Sequence, residues 1–426
     1  MKKIIVLLVL SMTGSAFAIT PEFKTYFRAG TGGNGKGGAQ ECISNKGSVG
    51  NEFRLGNECG IYGEFSLGGY ILKPDNEQQP FWRLYSNFAF VYENKTDFED
   101  ANTKAWVLRE LFTEAGRIDG MNFTFWIGKR FYRWGDLHLD DYFAVDMSGP
   151  GGGIGDIKTE MGNWSAAIIQ NTASNELNGT GTAVVTNVGR AAKTTLHLRL
   201  DESVTPLGTF SYWLAGGTTP STKDNAGIKE YKSTSGVSLA VKNFVSIGTG
   251  GNELGVAAGQ GAMSNLSSLG DIVKDCNDST DASCTVAKAV KFRVWDGFTF
   301  EGEKWSAQTA LIYEETEKGT TANSKLKWSS LGIRPMYWFT DHVAISFQAG
   351  ISNVVDESDG FGSRNLVRYT VAPQISMGKG FYSRPVLRAF YSHTNWNERN
   401  KISAAGTSFA NMTDMDSFGF QTEVWF

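Results

Sequence analysis

Apolar and polar residues alternate with a period of two along most of this chain. At its end, Phe418, Phe420, Thr422, Val424 and Phe426 share one parity, while Gly419, Gln421, Glu423 and Trp425 share the other, as a β-strand requires. The pattern recurs near the start, where Phe23, Thr25, Phe27 and Ala29 oppose Lys24, Tyr26 and Arg28. Ile61, Gly63, Phe65 and Leu67 likewise oppose Tyr62, Glu64 and Ser66. Further on, Val343, Ile345 and Phe347 oppose Ala344, Ser346 and Gln348; Val367, Tyr369, Val371 and Ile375 oppose Arg368, Thr370 and Gln374. One parity suits lipid and the other keeps charges. A small barrel packs its interior with side chains, so charges recurring across many strands predict a wide, wet lumen.

The strand-like runs are separated alternately by short turns and by long polar stretches such as Gly30–Asn51, Phe131–Asp156, Asn171–Ala191 and Asn265–Ala282. Long loops of a membrane barrel belong outside the cell. At about ten residues per tilted strand, the chain supplies sixteen to eighteen strands. No linker or second domain interrupts the pattern, and the Gly-rich segment after the first strand reads as loop.

The N-terminal segment MKKIIVLLVL has a basic start, Lys2 and Lys3, and an apolar run from Ile4 to Leu10 that is too short to span a bilayer as a helix. With the small-x-small pattern Ala16-Phe17-Ala18, this predicts an export signal over residues 1–18 and a barrel over residues 19–426. No later run is long and apolar enough for a transmembrane helix. Fifty glycines against nine prolines, with 13% aromatics, fit many strands and turns, and a net charge of −4 argues against nucleic acid.

Four cysteines in an exported chain read as two disulfides. Cys42 with Cys59, and Cys276 with Cys284, each lie in one polar loop and are expected to staple it.

Five short motifs then occur in order: LGNEC at Leu55–Cys59, GKRFY at Gly128–Tyr132, SGPG at Ser148–Gly151, GIRPMY at Gly332–Tyr337 and SRP at Ser383–Pro385. Together they resemble the maltoporin family from the first strand to the last, most thinly between Ile157 and Lys291. The final Phe426 likewise resembles the terminal aromatic of outer-membrane barrels. The resemblance implies an eighteen-stranded antiparallel barrel in the bacterial outer membrane, a homotrimer, with a third loop folded into each pore. It also implies a path for sugars. Such channels guide sugars along a spiral of aromatics flanked by charged residues. The resemblance carries the spiral onto Tyr26, Tyr62, Tyr382 and Trp425, with Phe98 as the ring a neighbouring subunit lends to the pore mouth. The polar track falls on Arg28, Arg54, Glu64 and Arg109, and the constriction acids on Asp136 and Asp141. Parity agrees, since Tyr26, Tyr62 and Trp425 alternate with charged or amide residues and Tyr382 shares parity with Arg384 and Arg388.

Three positions depart from the pattern. Trp134 stands where the family has an arginine in the third loop, Phe143 stands where it has the constriction tyrosine, and a further slide aromatic falls near Gly251. The gate is therefore less hydroxylated and the slide interrupted there, and the expected solutes are maltose and maltodextrins or other oligosaccharides.

Other motifs carry less. Gly30–Gly37 nearly spells a phosphate loop, but Gly37 stands where Ser or Thr holds magnesium. The histidines His138, His197, His342 and His393 lack metal-ligand spacing. Asp136, Asp140, Asp141 and Asp146 suit a constriction loop better than a glycosidase pair. Asp275, Asp278 and Asp281, and the group Asp356, Glu357 and Asp359, read as solvated acidic loops, with surface calcium the minor alternative. The expectation is a sugar channel that is not an enzyme and uses no cofactor, surrounded by lipid and lipopolysaccharide, its loops available to phage. A general diffusion porin is the competing reading.

Overall fold

The computed structural model describes residues 20–76, 78–93, 105–172, 192–223, 230–231, 233–267, 286–319, 325–360 and 362–426. The expected signal segment, Phe98, Cys276 and Cys284 lie outside these residues. Eighteen antiparallel strands form one closed sheet, each paired with its sequence neighbours. The first strand, Thr20–Asn34, closes the barrel on the last, Asp414–Trp425, with Tyr26 opposite Trp425 and Arg28 opposite Glu423. Closure satisfies every strand edge, which a sheet in hydrocarbon must do. No helix among the described residues is long and apolar enough to cross a membrane.

Alternation decides which side each residue faces. Phe23, Leu67, Phe347, Tyr369, Phe418 and Phe420 lie exposed on the outer wall. Their strand neighbours Ser66, Ser346, Gln348, Arg368, Ser417 and Gln421 are buried on the inner side. The final residue joins the wall as well: Phe426 is 69% exposed, trades backbone hydrogen bonds with Thr25 and lays its ring 5.8 Å from that of Phe23.

Two expected loops begin later or end sooner than sequence suggests. Gly30–Asn34 remain in the first strand because they pair with Ser417–Gln421, and Gly149–Thr159 form a strand of their own. Ladder pairing to an existing neighbour outweighs the weak strand preference of glycine.

The lumen is also less empty than the recurring charges predict, because segments from both ends fold into it. From the long-loop side the first loop buries Glu52, Phe53, Arg54, Leu55 and Asn57. The Phe53 ring seats on paired Gly332 and Gly350, where a Cβ would come within 3.2 Å and 2.3 Å of the ring, respectively. The third loop adds the hairpin of Arg133–Leu137 and Tyr142–Asp146. From the short-turn side, residues 377–385 bury Phe381 and Arg384.

Cys42 and Cys59 are bonded, as expected, and close the first loop. Replacing both with serine is expected to remove about 3 kcal/mol of loop-closure stabilisation in the chain-entropy model. The heat-modifiable unfolding midpoint of the purified barrel should fall; an unchanged midpoint would contradict this.

Candidate functional site

Four aromatic rings run in sequence through the lumen. Tyr62 lies 5.9 Å from Tyr26, Tyr26 lies 6.2 Å from Trp425, and Trp425 lies 6.4 Å from Tyr382, measured between ring centroids. Inward parity on the second, first and last strands supplies the first three. Tyr382 comes instead from the infolded turn, where Gln308 donates to its hydroxyl and it remains 43% exposed to the lumen.

A polar network runs beside the rings. Arg28 bonds Glu58 at 2.6 Å and Asp141 at 2.8 Å, and its guanidinium lies 5.5 Å from the Tyr62 ring centroid. Arg54 donates to Glu58 at 2.7 Å and to the Tyr26 hydroxyl at 2.7 Å, and pairs with Glu423 at 3.0 Å. Tyr62 and Asn87 donate to Glu64. Burial raises the Asp141 carboxyl, but Arg54 and Arg28 more than offset it and hold it below the usual range. Burial, followed by Arg54, holds His138 well below the ordinary imidazole value, so the ring stays neutral between Trp425, Tyr382 and Phe381.

Two chambers remain open. The outer one, about 910 Å³, is bounded by Tyr26, Tyr62, Arg28, Arg109 and Trp425 among others; the inner one, about 650 Å³, by Phe244, Gly251, Glu253 and Lys242 among others. Both are bounded by Arg133, Asp136, Phe143 and Tyr382, which form the constriction. Burial raises the Asp136 carboxyl, against the pull of Arg133 and Arg54.

In the third loop, Trp134 borders the inner chamber but is 5% exposed, 5.0 Å from the Trp213 ring and beside Arg199. The adjacent Arg133 borders both chambers, its guanidinium 3.9 Å from the Phe131 ring centroid and 3.8 Å from that of Phe143. Arg109 lies over the other partner, 5.1 Å from the Phe131 ring. Among the described residues neither Arg133 nor Arg109 pairs with a carboxylate. Strict alternation would set Asp136 on the side of Trp134; Gly135, unpaired in the hairpin and with φ of +67°, breaks it and returns Asp136 to the side of Arg133, which sequence reasoning did not foresee.

Glu58, Glu423, Arg384 and Phe244 were also missed. Glu423 was within reach, since it shares parity with Trp425; Glu58 lies inside LGNEC; the infolding that buries Arg384 has no local signature. Phe98 lies outside the described residues. Asp356 pairs with Lys318 and Asp359 with Arg364, and no group of His, Cys, Asp or Glu among the described residues is arranged to hold a metal.

The LamB porin family profile matches residues 21–426. Among solved structures, OpdK of Pseudomonas aeruginosa with vanillate aligns at 9% identity and a TM-score of 0.50, covering 96% of this chain and 98% of that one. A BenF-like porin from Pseudomonas fluorescens Pf-5 aligns at 8% identity and a TM-score of 0.50, covering 96% and 99%. At these identities the likeness is one of fold.

Proposed function

Because the chain belongs to the LamB porin family and is an outer-membrane porin, we propose that it conducts sugars along the row Tyr62, Tyr26, Trp425, Tyr382. The observation that carries this is the uninterrupted succession of ring contacts with charged groups alongside. A pyranose presents a C–H face that stacks on a ring and an edge of hydroxyls that bonds to ions. Arg28, Arg54, Arg109, Glu64, Asp136 and Asp141 supply those ions. Overlapping weak sites suit conduction: millimolar binding, roughly −4 kcal/mol, lets solute enter and leave. Arg133 adds a cation between two phenyl rings where the two chambers meet. The same reading has residues 1–18 removed on export and the mature barrel assembled as a homotrimer in lipid and lipopolysaccharide.

Single-channel recording with a panel of mono-, di- and oligosaccharides tests it. Saturable, concentration-dependent block is expected. Tyr26, Tyr62, Tyr382 or Trp425 changed singly to Ala should weaken block about two- to tenfold, the equivalent of one stack at roughly 0.5–1.5 kcal/mol, with salt conductance near normal. Block that is absent, or equal in all five proteins, leaves a general diffusion porin.

A further inference from the structure

Behind the infolded turn, buried guanidiniums outnumber the carboxylates that serve them. Arg334, inside the GIRPMY segment, stands on Lys325–Trp338, and Gln348 stands on the neighbouring strand Val343–Asp356; both are buried on the inner side. Arg334 Nε donates to Gln348 Oε1 at 2.7 Å. That bond fixes the amide, because turning it over would set an N–H against a cation. It leaves Arg334 Nη2 and Gln348 Nε2 as buried donors with no acceptor among the described residues. Each is one carbon removed from an atom of the bond between them, so one small acceptor can serve both. Phe381, itself buried, covers the guanidinium with its ring centroid 5.5 Å away.

Charge selects the acceptor. Arg334 pairs with no carboxylate among the described residues, and Arg54, Arg384 and Arg388 are among its charged neighbours. These four cations face three carboxylates: Glu423, shared by Arg54, Arg384 and Arg388; Glu58, which Arg54 shares with Arg28; and Asp140. One positive charge is left over. Burial, with Glu52 beside it, pushes the Asp140 carboxyl up to about 7, which reduces the negative share further near neutral pH. A water would bring no charge, and only Gln308, whose buried Oε1 has no donor and which pairs with Arg334 across the sheet, would favour one.

We propose that the inner wall beneath the infolded turn binds one small monovalent anion of the halide class, held by Arg334 Nη2 and Gln348 Nε2 under Phe381. The anion takes the place of a fourth carboxylate and steadies the turn that carries Tyr382. This does not depend on the sugar reading.

The purified full-length porin is unfolded by heat in sodium chloride, bromide or methanesulfonate at one ionic strength. The native midpoint should be higher in either halide, by a difference that saturates with halide concentration. At 100 times the dissociation constant, the folded-to-unfolded ratio gains about a hundredfold. Exclusion of salt from the surface also shifts stability, but does not saturate as a single site does. Gln348→Glu builds a carboxylate into the same place, so it should lose the halide difference and match, in methanesulfonate, the native midpoint in chloride. Crystals of the native protein in bromide need no variant and should show an anomalous peak within hydrogen-bond reach of both donors. Equal native midpoints in halide and methanesulfonate, a full halide shift retained by Gln348→Glu, or no anomalous peak between the donors would each overturn the assignment.

Discussion

Changing Glu423 to Gln is expected to deplete the folded barrel severely, with heat-modifiable protein in the membrane falling to a small fraction of the normal amount. Glu423 is 1% exposed, and three guanidinium groups from three separate segments converge on its carboxylate. Arg54 of the first loop reaches Oε1 at 3.0 Å; Arg384 of the infolded turn and Arg388 of the seventeenth strand, Val386–Trp396, reach Oε2 at 2.7 Å and 3.2 Å. An amide keeps the shape and removes the only charge the three share. Breaking a buried ion pair by neutralising one partner costs about 3–5 kcal/mol, because the remaining charge stays desolvated. Here Arg384 and Arg388 would lose their carboxylate partner beside a third guanidinium, Arg54, which keeps Glu58. Glu423→Asp, which retains the charge, should assemble better than Glu423→Gln. Wild-type yield and urea midpoint in Glu423→Gln would show that the cluster is indifferent to its anion.

Gly135→Val should leave assembly largely intact and impair the gate, with lower salt conductance and sugar block that is weak or unsteady. Gly135 has φ of +67°, a left-handed conformation that disfavours a β-branched residue. A Cβ there would lie 2.7 Å from Ala144 Cβ and 2.9 Å from Trp295 Nε1, so the added side chain presses the hairpin off the wall and into the passage. Overpacking of this kind costs about 1–3 kcal/mol, enough to change the hairpin's preferred position by a factor of about five to a hundred without challenging eighteen paired strands. Normal conductance and normal block in a folded Gly135→Val channel would show that the constriction does not depend on this contact.

Much of the wall was legible in the sequence because alternation is a local signal: Val343–Gln348 and Phe418–Phe426 each declare two faces within a few residues. Strand ends were less so. Gly30–Asn34 look like loop until their partner strand is known. The interior was hardest to read, because the segments that fill it obey contacts made far away in the chain. Nothing around Phe53 announces that Gly332 and Gly350 will receive it, and nothing around Tyr382 says that its turn folds inward. The constriction shows the same limit at a single residue. Matching motifs column by column singles out Trp134, whereas the hairpin packs most of its ring against Trp213 and sets the adjacent Arg133 between two rings. At Gly251 the matched column is empty, yet the space in front of it is filled by Phe244.

Tyr26 and Trp425 face each other across the seam, so the centre of the ring row is built from the first strand and the last. Neither segment can complete that pair until the strands between them have been laid down, which makes the seam a contact of the longest range the topology offers and a late event in folding. A chain stalled before its final strand would expose two unpaired edges to any other strand nearby. It would also lack the middle of its transport route. Solute passage along the rings therefore reports on completed closure, and a sugar-block assay during refolding would time the last step of assembly.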